Sequence, residues 1–269
     1  IGNDFIAIDG RDDNINSDDY GKLAKSVCHR KFSVGADGLL VVKNSNVADI
    51  EMVYYNSDGS RASMCGNGLR CFVKFVYDNN IVNKEKIDVD TLDGIKKIKI
   101  NLKNKDIDTI TVNMGQGSFK CSDIPINSNE EIFINKEINV LDEKFIVNCM
   151  HMGVPHTVIF VDDMDMNKIH KYGPLIEKHE IFPEGTNVNF VKIIDEKNIL
   201  VRTWERGCGY TLGCGTGITA SVIISNYLKK VKDSVKVTSE GGSIIIDFID
   251  NEAYMTGKAI KICEGNLEV

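Results

Sequence analysis

No stretch of this chain approaches the run of roughly 18 apolar residues that a membrane-crossing helix requires. The opening Ile1-Gly2-Asn3-Asp4-Phe5 has neither the charged leader nor the cleavage site of a signal peptide. No membrane contact is expected, and the expected location is the cytoplasm. An excess of positive charge is also missing. Lys+Arg number 32 against 39 Asp+Glu, for a net charge of −7, and no basic stripe is interleaved with aromatics. Nucleic acid and anionic membrane surfaces therefore have no electrostatic footprint, whereas a small zwitterionic ligand is easily accommodated. Clustered metal ligands and C-x-x-C pairs are lacking. Cys65 and Cys71 are six apart, as are Cys208 and Cys214, whereas structural zinc motifs usually place about two to four residues between cysteines. No metal is expected.

The 269 residues, 42% hydrophobic and 26% charged, are enough for a real core and exclude disorder. Their number suits two modest domains or one large one. The eight cysteines (28, 65, 71, 121, 149, 208, 214 and 263) are spread along a chain too long to need disulfide staples, so they are read as thiols.

The chain contains an internal repeat. Met64-Cys65-Gly66-Asn67-Gly68 has a partner in Gly213-Cys214-Gly215-Thr216-Gly217, with the cysteines 149 residues apart. Each cysteine follows a strand-like run, Ile50 to Tyr55 or Ile199 to Trp204, and a polar residue, Asn56 or Glu205, lies nine positions before it. Upstream, FIAID at 5–9 matches VIFVD at 158–162 and sets Asn3 opposite His156. Downstream, the alternating strand around Ile98, Ile100 and Leu102 matches Ile244 to Ile249. Two similar α+β halves are expected, 1–120 carrying Cys65 and 121–269 carrying Cys214. Leu69, Phe72, Val73 and Val76 follow the helical i, i+3, i+4, i+7 template after the first cysteine, and Ile218, Val222, Ile223 and Tyr227 follow it more weakly after the second. Both cysteines are therefore expected at or just before a helix N-terminus.

A helix N-terminus presents unpaired N–H groups and about half a positive charge, so it binds anions and favours thiolate over thiol. Thiols so placed can have a pKa lowered from about 8.5 to anywhere between roughly 3.5 and 7.5. Gly66, Gly68, Gly215 and Gly217 let backbone amides approach a ligand carboxylate without a Cβ in the way. Two such devices related by a pseudo-twofold axis suit a two-base racemase, in which one thiolate removes an α-proton and an opposing thiol protonates the other face. Taken singly, His156 reads as a loop histidine, Glu205-Arg206 as a solvated ion pair and Asn56 as a turn residue. Their duplicated placement around the cysteines singles them out.

Together these residues resemble the diaminopimelate epimerase family. The resemblance spans essentially the whole chain: GNDFIAID at the start, VGADGLLVV at 34–42, YYNSDGSRASMCGNGLRC at 54–71, MGVPHTVIFV at 152–161, FPEGTNVNFV at 182–191 and RTWERGCGYTLGCGTG at 202–217. It implies Cys65 and Cys214 as the acid/base pair, with His156 and Glu205 beside the sulfurs and no metal or organic cofactor. Backbone amides of Gly66, Asn67, Gly215 and Thr216 would hold the reacting carboxylate, and Asn3, Asn56, Asn187 and Arg206 would bind the rest of the substrate. It also implies two mirrored mixed α/β domains, each a curled sheet around a helix, a last strand returning to the first domain, and a homodimer. The implied reaction is epimerisation of LL-diaminopimelate to the meso form, in lysine and peptidoglycan precursor synthesis. Two positions depart from the family's pattern: GNPH reads Gly153-Val154-Pro155-His156, and GET after ERG reads Gly209-Tyr210-Thr211. These leave open a cysteine-pair racemase of another amino acid, such as histidine.

Overall fold

A computed structural model describes residues 1–12, 17–62 and 65–267, so Ser63 and Met64 of the first cysteine block lie outside the described residues. The chain forms two compact units, one of Asn3–Asn113 with Thr256–Val269 and one of Ile1–Gly2 with Met114–Met255.

The first unit runs β1 (Phe5–Asp9), α1 (Ser17–Val27), β2 (Gly38–Lys43), β3 (Ile50–Asn56), β4 (Arg61–Ala62), α2 (Gly66–Asp78), β5 (Lys86–Asp90), β6 (Lys96–Lys103) and β7 (Asp106–Gly115). Its strands lie in the order β1-β2-β3-β5-β6-β7, with β4 on β3. The second runs β8 (Lys136–Val140), β9 (Glu143–His151), β10 (Pro155–Phe160), α3 (Met166–Glu177), β11 (Asn187–Asp195), β12 (Asn198–Glu205), β13 (Gly209–Thr211), α4 (Gly215–Tyr227), β14 (Ser234–Ser239), β15 (Gly242–Ile249) and β16 (Glu252–Gly257). Here the order is β16-β15-β14-β12-β11-β10-β9-β8, with β13 on β12.

The duplication extends to strand direction. β1 and β2 are parallel, β2 and β3 antiparallel, and β3 and β5 parallel. The same sequence of directions recurs in β10–β11, β11–β12 and β12–β14. In each unit a helix, α1 or α3, crosses over between the parallel pair, and a two- or three-residue strand leads to the cysteine that begins the next helix. This is the α+β architecture expected from the repeat.

Helices on both faces explain why the strands read as continuous apolar runs. Leu39 and Val41 of β2 pack with Tyr20, Ala24 and Val27 of α1, while Leu40, on the opposite face, lies near Gly68 of α2. In the second unit Ile159, Val188 and Phe190 pack on Ile169, Tyr172 and Ile176 of α3, and α4 packs against β9, β10, β11, β12 and β15. α2 keeps the amphipathic pattern, with Leu69, Phe72, Val73 and Val76 fully buried. In α4 every residue from Gly217 to Ser225 is buried, so no polar face marks its period, which is why its helical signal is weak in the sequence. Its buried hydroxyls are satisfied within the helix: Thr219, Ser221 and Ser225 each donate to the carbonyl four residues back, at 2.9, 2.7 and 2.6 Å. Among the described residues no helix is long and apolar enough to cross a membrane.

Phe72 is wholly buried at the centre of α2. Phe72→Ala is expected to cost about 3–5 kcal/mol by creating a cavity. Denaturant unfolding checks this, and a loss below about 1 kcal/mol would show that α2 does not form the core of its unit.

Candidate active site

Cys65 and Cys214 occupy the same structural position in the two units. Each is the N-cap of its helix, with extended backbone (φ −141°, ψ 116° and φ −101°, ψ 119°). Each sulfur accepts the N–H three residues on, from Gly68 and Gly217 respectively, both at 3.4 Å. An N-cap is ordinarily an oxygen-bearing residue that satisfies first-turn amides. Here sulfur takes that place, so helix N–H groups and the positive end of the dipole act on a thiol. The amides of Gly66, Asn67, Gly215 and Thr216 belong to the first turn, which lacks intrahelical partners. At Gly217 a Cβ would come within 2.3 Å of Asn189 Oδ1, so any larger residue there would have to displace the Asn189 side chain; at Gly68 the nearest atom is 3.4 Å away.

Around Cys214, the Thr216 hydroxyl lies 3.3 Å from the sulfur. Glu205 ends β12, and its Oε1 accepts the Thr211 hydroxyl at 2.6 Å. Burial, and then the Glu205 carboxylate, pushes the Cys214 thiol up to about 12. His156 is fully buried on β10, opposite Asn187 of β11. Burial first, then the charges of His151 and Arg206, lowers its pKa to about 3. Its Nδ1 faces Asn189 Nδ2 at 3.2 Å, and its Nε2 has no hydrogen-bond partner among the described residues.

Asn187 donates to Pro155 O at 2.9 Å and accepts from Arg206 N at 3.0 Å, leaving one amide hydrogen and one lone pair for a ligand. Arg206 donates to Glu184 O at 3.0 Å, and among the described residues no carboxylate forms an ion pair with it. In the first unit Arg70, buried on α2, donates to Asn67 Oδ1 at 2.7 Å; Asn67 donates to Asn3 Oδ1 at 2.6 Å, and Asn3 to Asp37 Oδ2 at 2.9 Å. Arginine can only donate, so this chain fixes both amide orientations. Asn56 instead donates to Ser60 Oγ at 3.0 Å, closing the turn after β3.

Thus Cys65, Gly66, Asn67 and Asn3 are joined in the first unit, with Asn56 in its own turn. In the second unit Cys214, Gly215, Thr216 and Glu205 gather at the start of α4, and Asn187 links Arg206 to the His156 strand. Of the two departures, Tyr210 donates its hydroxyl to Glu240, and Val154 is half-buried next to Pro155. Sequence reasoning overlooked Arg70, Asn189 and Glu177. Glu177 is buried and accepts from Trp204 Nε1 at 2.8 Å and Gly207 N at 2.9 Å, gripping the turn that carries Glu205 and Arg206. Among the described residues no group of three or more His, Cys, Asp or Glu could hold a metal ion.

The carboxylate of Glu205 disfavours a charged sulfur at Cys214. Glu205→Gln is therefore expected to lower the Cys214 pKa and so increase its alkylation rate by iodoacetamide at pH near 8, since only the thiolate reacts. Mass-spectrometric rates that are unchanged or slower would show that the carboxylate does not govern this thiol.

The family profile described as diaminopimelate epimerase matches residues 1–120 and 148–262. A diaminopimelate epimerase of Clostridium perfringens is 48% identical over 271 residues, covering 98% of this chain and 95% of its own. One from Alkaliphilus metalliredigens is 46% identical over 265 residues, covering 98% and 93%. Among solved structures, a PhzF-family phenazine biosynthesis protein of Bacillus anthracis shares the fold at TM-score 0.68 and 18% identity, covering 98% of this chain and 93% of its own. By profile, by identity over nearly its full length and by the paired cysteine caps, this chain belongs to the diaminopimelate epimerase family.

Proposed function

We propose that the chain epimerises LL-diaminopimelate to meso-diaminopimelate without a metal or organic cofactor, with Cys65 and Cys214 as the two bases. The observation that carries this reading is the matched pair of cysteine N-caps, each sulfur accepting an N–H from its own helix. In one turnover a thiolate takes the α-proton from one face of the carbon, and the other cysteine's thiol gives its proton to the opposite face. The configuration inverts, and the two sulfurs have exchanged protonation states, which solvent resets. First-turn amides at Gly66, Asn67, Gly215 and Thr216 receive the reacting carboxylate and stabilise the charge that builds on it. A turnover near 10 s⁻¹ needs a barrier of only about 16 kcal/mol, so positioning and a water-poor site must offset the weak acidity of the α-proton.

The far end of diaminopimelate carries a second carboxylate and ammonium, and buried unpaired charges are expensive. Arg206, with no carboxylate ion-paired to it among the described residues, suits that carboxylate, and Asn3, Asn56 and Asn187 supply further polar contacts. His156 and Glu205 set the protonation of the sulfurs. The product feeds lysine and peptidoglycan precursor synthesis, and the enzyme works as a cytoplasmic homodimer. A racemase of histidine is not favoured, since the relatives at 46% and 48% identity both carry the diaminopimelate name.

Cys65→Ala and Cys214→Ala are each expected to abolish net epimerisation, while dialysis against a chelator leaves the wild-type rate unchanged. A substantial residual rate in either variant would refute the two-thiol reading. For substrate, kcat/KM for LL-diaminopimelate should exceed that for L-histidine by more than about tenfold, or about 1.4 kcal/mol of transition-state binding. The reverse order would replace this assignment with the racemase.

A further inference from the structure

We propose that Asn189 is a positioning residue that holds His156 as the neutral Nε2–H tautomer, so that this histidine gives a hydrogen bond and does not take a proton. The inference rests on the reading of His156 as part of the reactive site.

Asn189 lies on β11, two residues beyond the His156–Asn187 register pair, and is fully buried. Its amide is pinned on both sides. Oδ1 accepts the Thr203 hydroxyl at 3.0 Å, and Nδ2 faces the carbonyls of Thr157 at 3.4 Å and Asn187 at 3.5 Å. Turning the amide over would set its oxygen against two carbonyl oxygens with no proton between them. Nδ2 is therefore the atom facing His156 Nδ1 at 3.2 Å. An amide nitrogen has no lone pair to accept with, so Nδ1 is the acceptor and carries no hydrogen. A neutral imidazole has one N–H, which must then sit on Nε2, the ring atom that is buried without a partner among the described residues.

Burial is the first thing that opposes a proton on this ring. His151 of β9 and Arg206 after β12 are the charged groups that act on it, and both act with burial to lower its pKa. What remains is a fixed, desolvated donor. A buried donor left unsatisfied is costly, and this cost is recovered when an anion, whether a substrate carboxylate or a thiolate, arrives at Nε2. Asn189 also touches the reactive helix, because its Oδ1 fills the space that a Cβ on Gly217 would need, at 2.3 Å. One amide thus sets both the histidine's tautomer and the seat of the first turn that Cys214 caps.

The test is a long-range proton–nitrogen correlation spectrum of the full-length protein with nitrogen-15-labelled histidine, with the His156 signals assigned by their loss in His156→Gln. The expected wild-type pattern is an unprotonated Nδ1 and a protonated Nε2, unchanged between about pH 5 and 8, where an ordinary histidine titrates. Asn189→Asp puts an acceptor in place of the donor. It should move the proton to Nδ1 or charge the ring, and lower kcat by about 10²-fold, the scale for losing one preorganised donor, with KM changed less than about tenfold. A wild-type His156 protonated on Nδ1, or one that titrates in that range, overturns the proposal, as does a folded Asn189→Asp that keeps the wild-type pattern or rate. The wild-type spectrum needs no variant to fold and no substrate, so an inactive protein with the expected tautomer would count against the epimerase reading and leave this one standing.

Discussion

A sulfur that accepts the N–H of the residue three places on is the contact around which the rest of the candidate site is arranged. It occurs twice, at Cys65 and Cys214. Sulfur accepts a longer and weaker hydrogen bond than the oxygen of a conventional cap, so neither helix owes its stability to its N-terminus. That stability comes from burial. α2 is packed along one whole face and α4 is buried almost all round. Both sulfurs therefore sit at the ends of core-anchored helices, beside first-turn amides that the helix itself does not use.

Burial that rigidifies the second unit also selects neutral groups. The Cys214 thiol is held protonated by desolvation and by Glu205, and His156 is held uncharged by desolvation and by the neighbouring positive charges. On the proposed reading charge enters with the substrate, whose carboxylate would meet fixed dipoles rather than mobile counter-ions, the arrangement that costs least to reorganise during proton transfer. The turn from Glu205 to Cys208 must hold still for this to work. Glu177 does that from the end of α3, receiving Trp204 on one oxygen and Gly207 on the other, so that the two residues between them, Glu205 and Arg206, are fixed by a carboxylate they do not touch.

What was legible in the sequence was local or repeated. The glycine-flanked cysteines, the strand before each and the helix after the first follow from spacing alone, and the repeat converts one weak signal into two concordant ones. α4 was harder to read because a helix buried on all sides has no polar face to mark its period. Asn189, Glu177 and Arg70 were not legible as site residues. Asn189 meets His156 from 33 positions away and Glu177 meets Gly207 from 30, and a single polar residue in an apolar strand or helix carries no mark of the partner it will find. Arg70 sat inside the most recognisable block, yet its link through Asn67 to Asn3 depends on bringing residue 3 to the start of α2. Asn56, singled out by its offset from Cys65, is held in a turn by Ser60.

The central claim is that two different sulfurs handle the proton on the two faces of one carbon. The most direct measurement is the isotopic content of product and recovered substrate in the first turnovers in deuterated water. Two bases predict that each new meso-diaminopimelate carries one solvent deuterium at the inverted centre, while the remaining LL-diaminopimelate stays protiated at early times. Product that retains the substrate's own α-hydrogen would mean that one group removes and returns the proton, and would contradict the account.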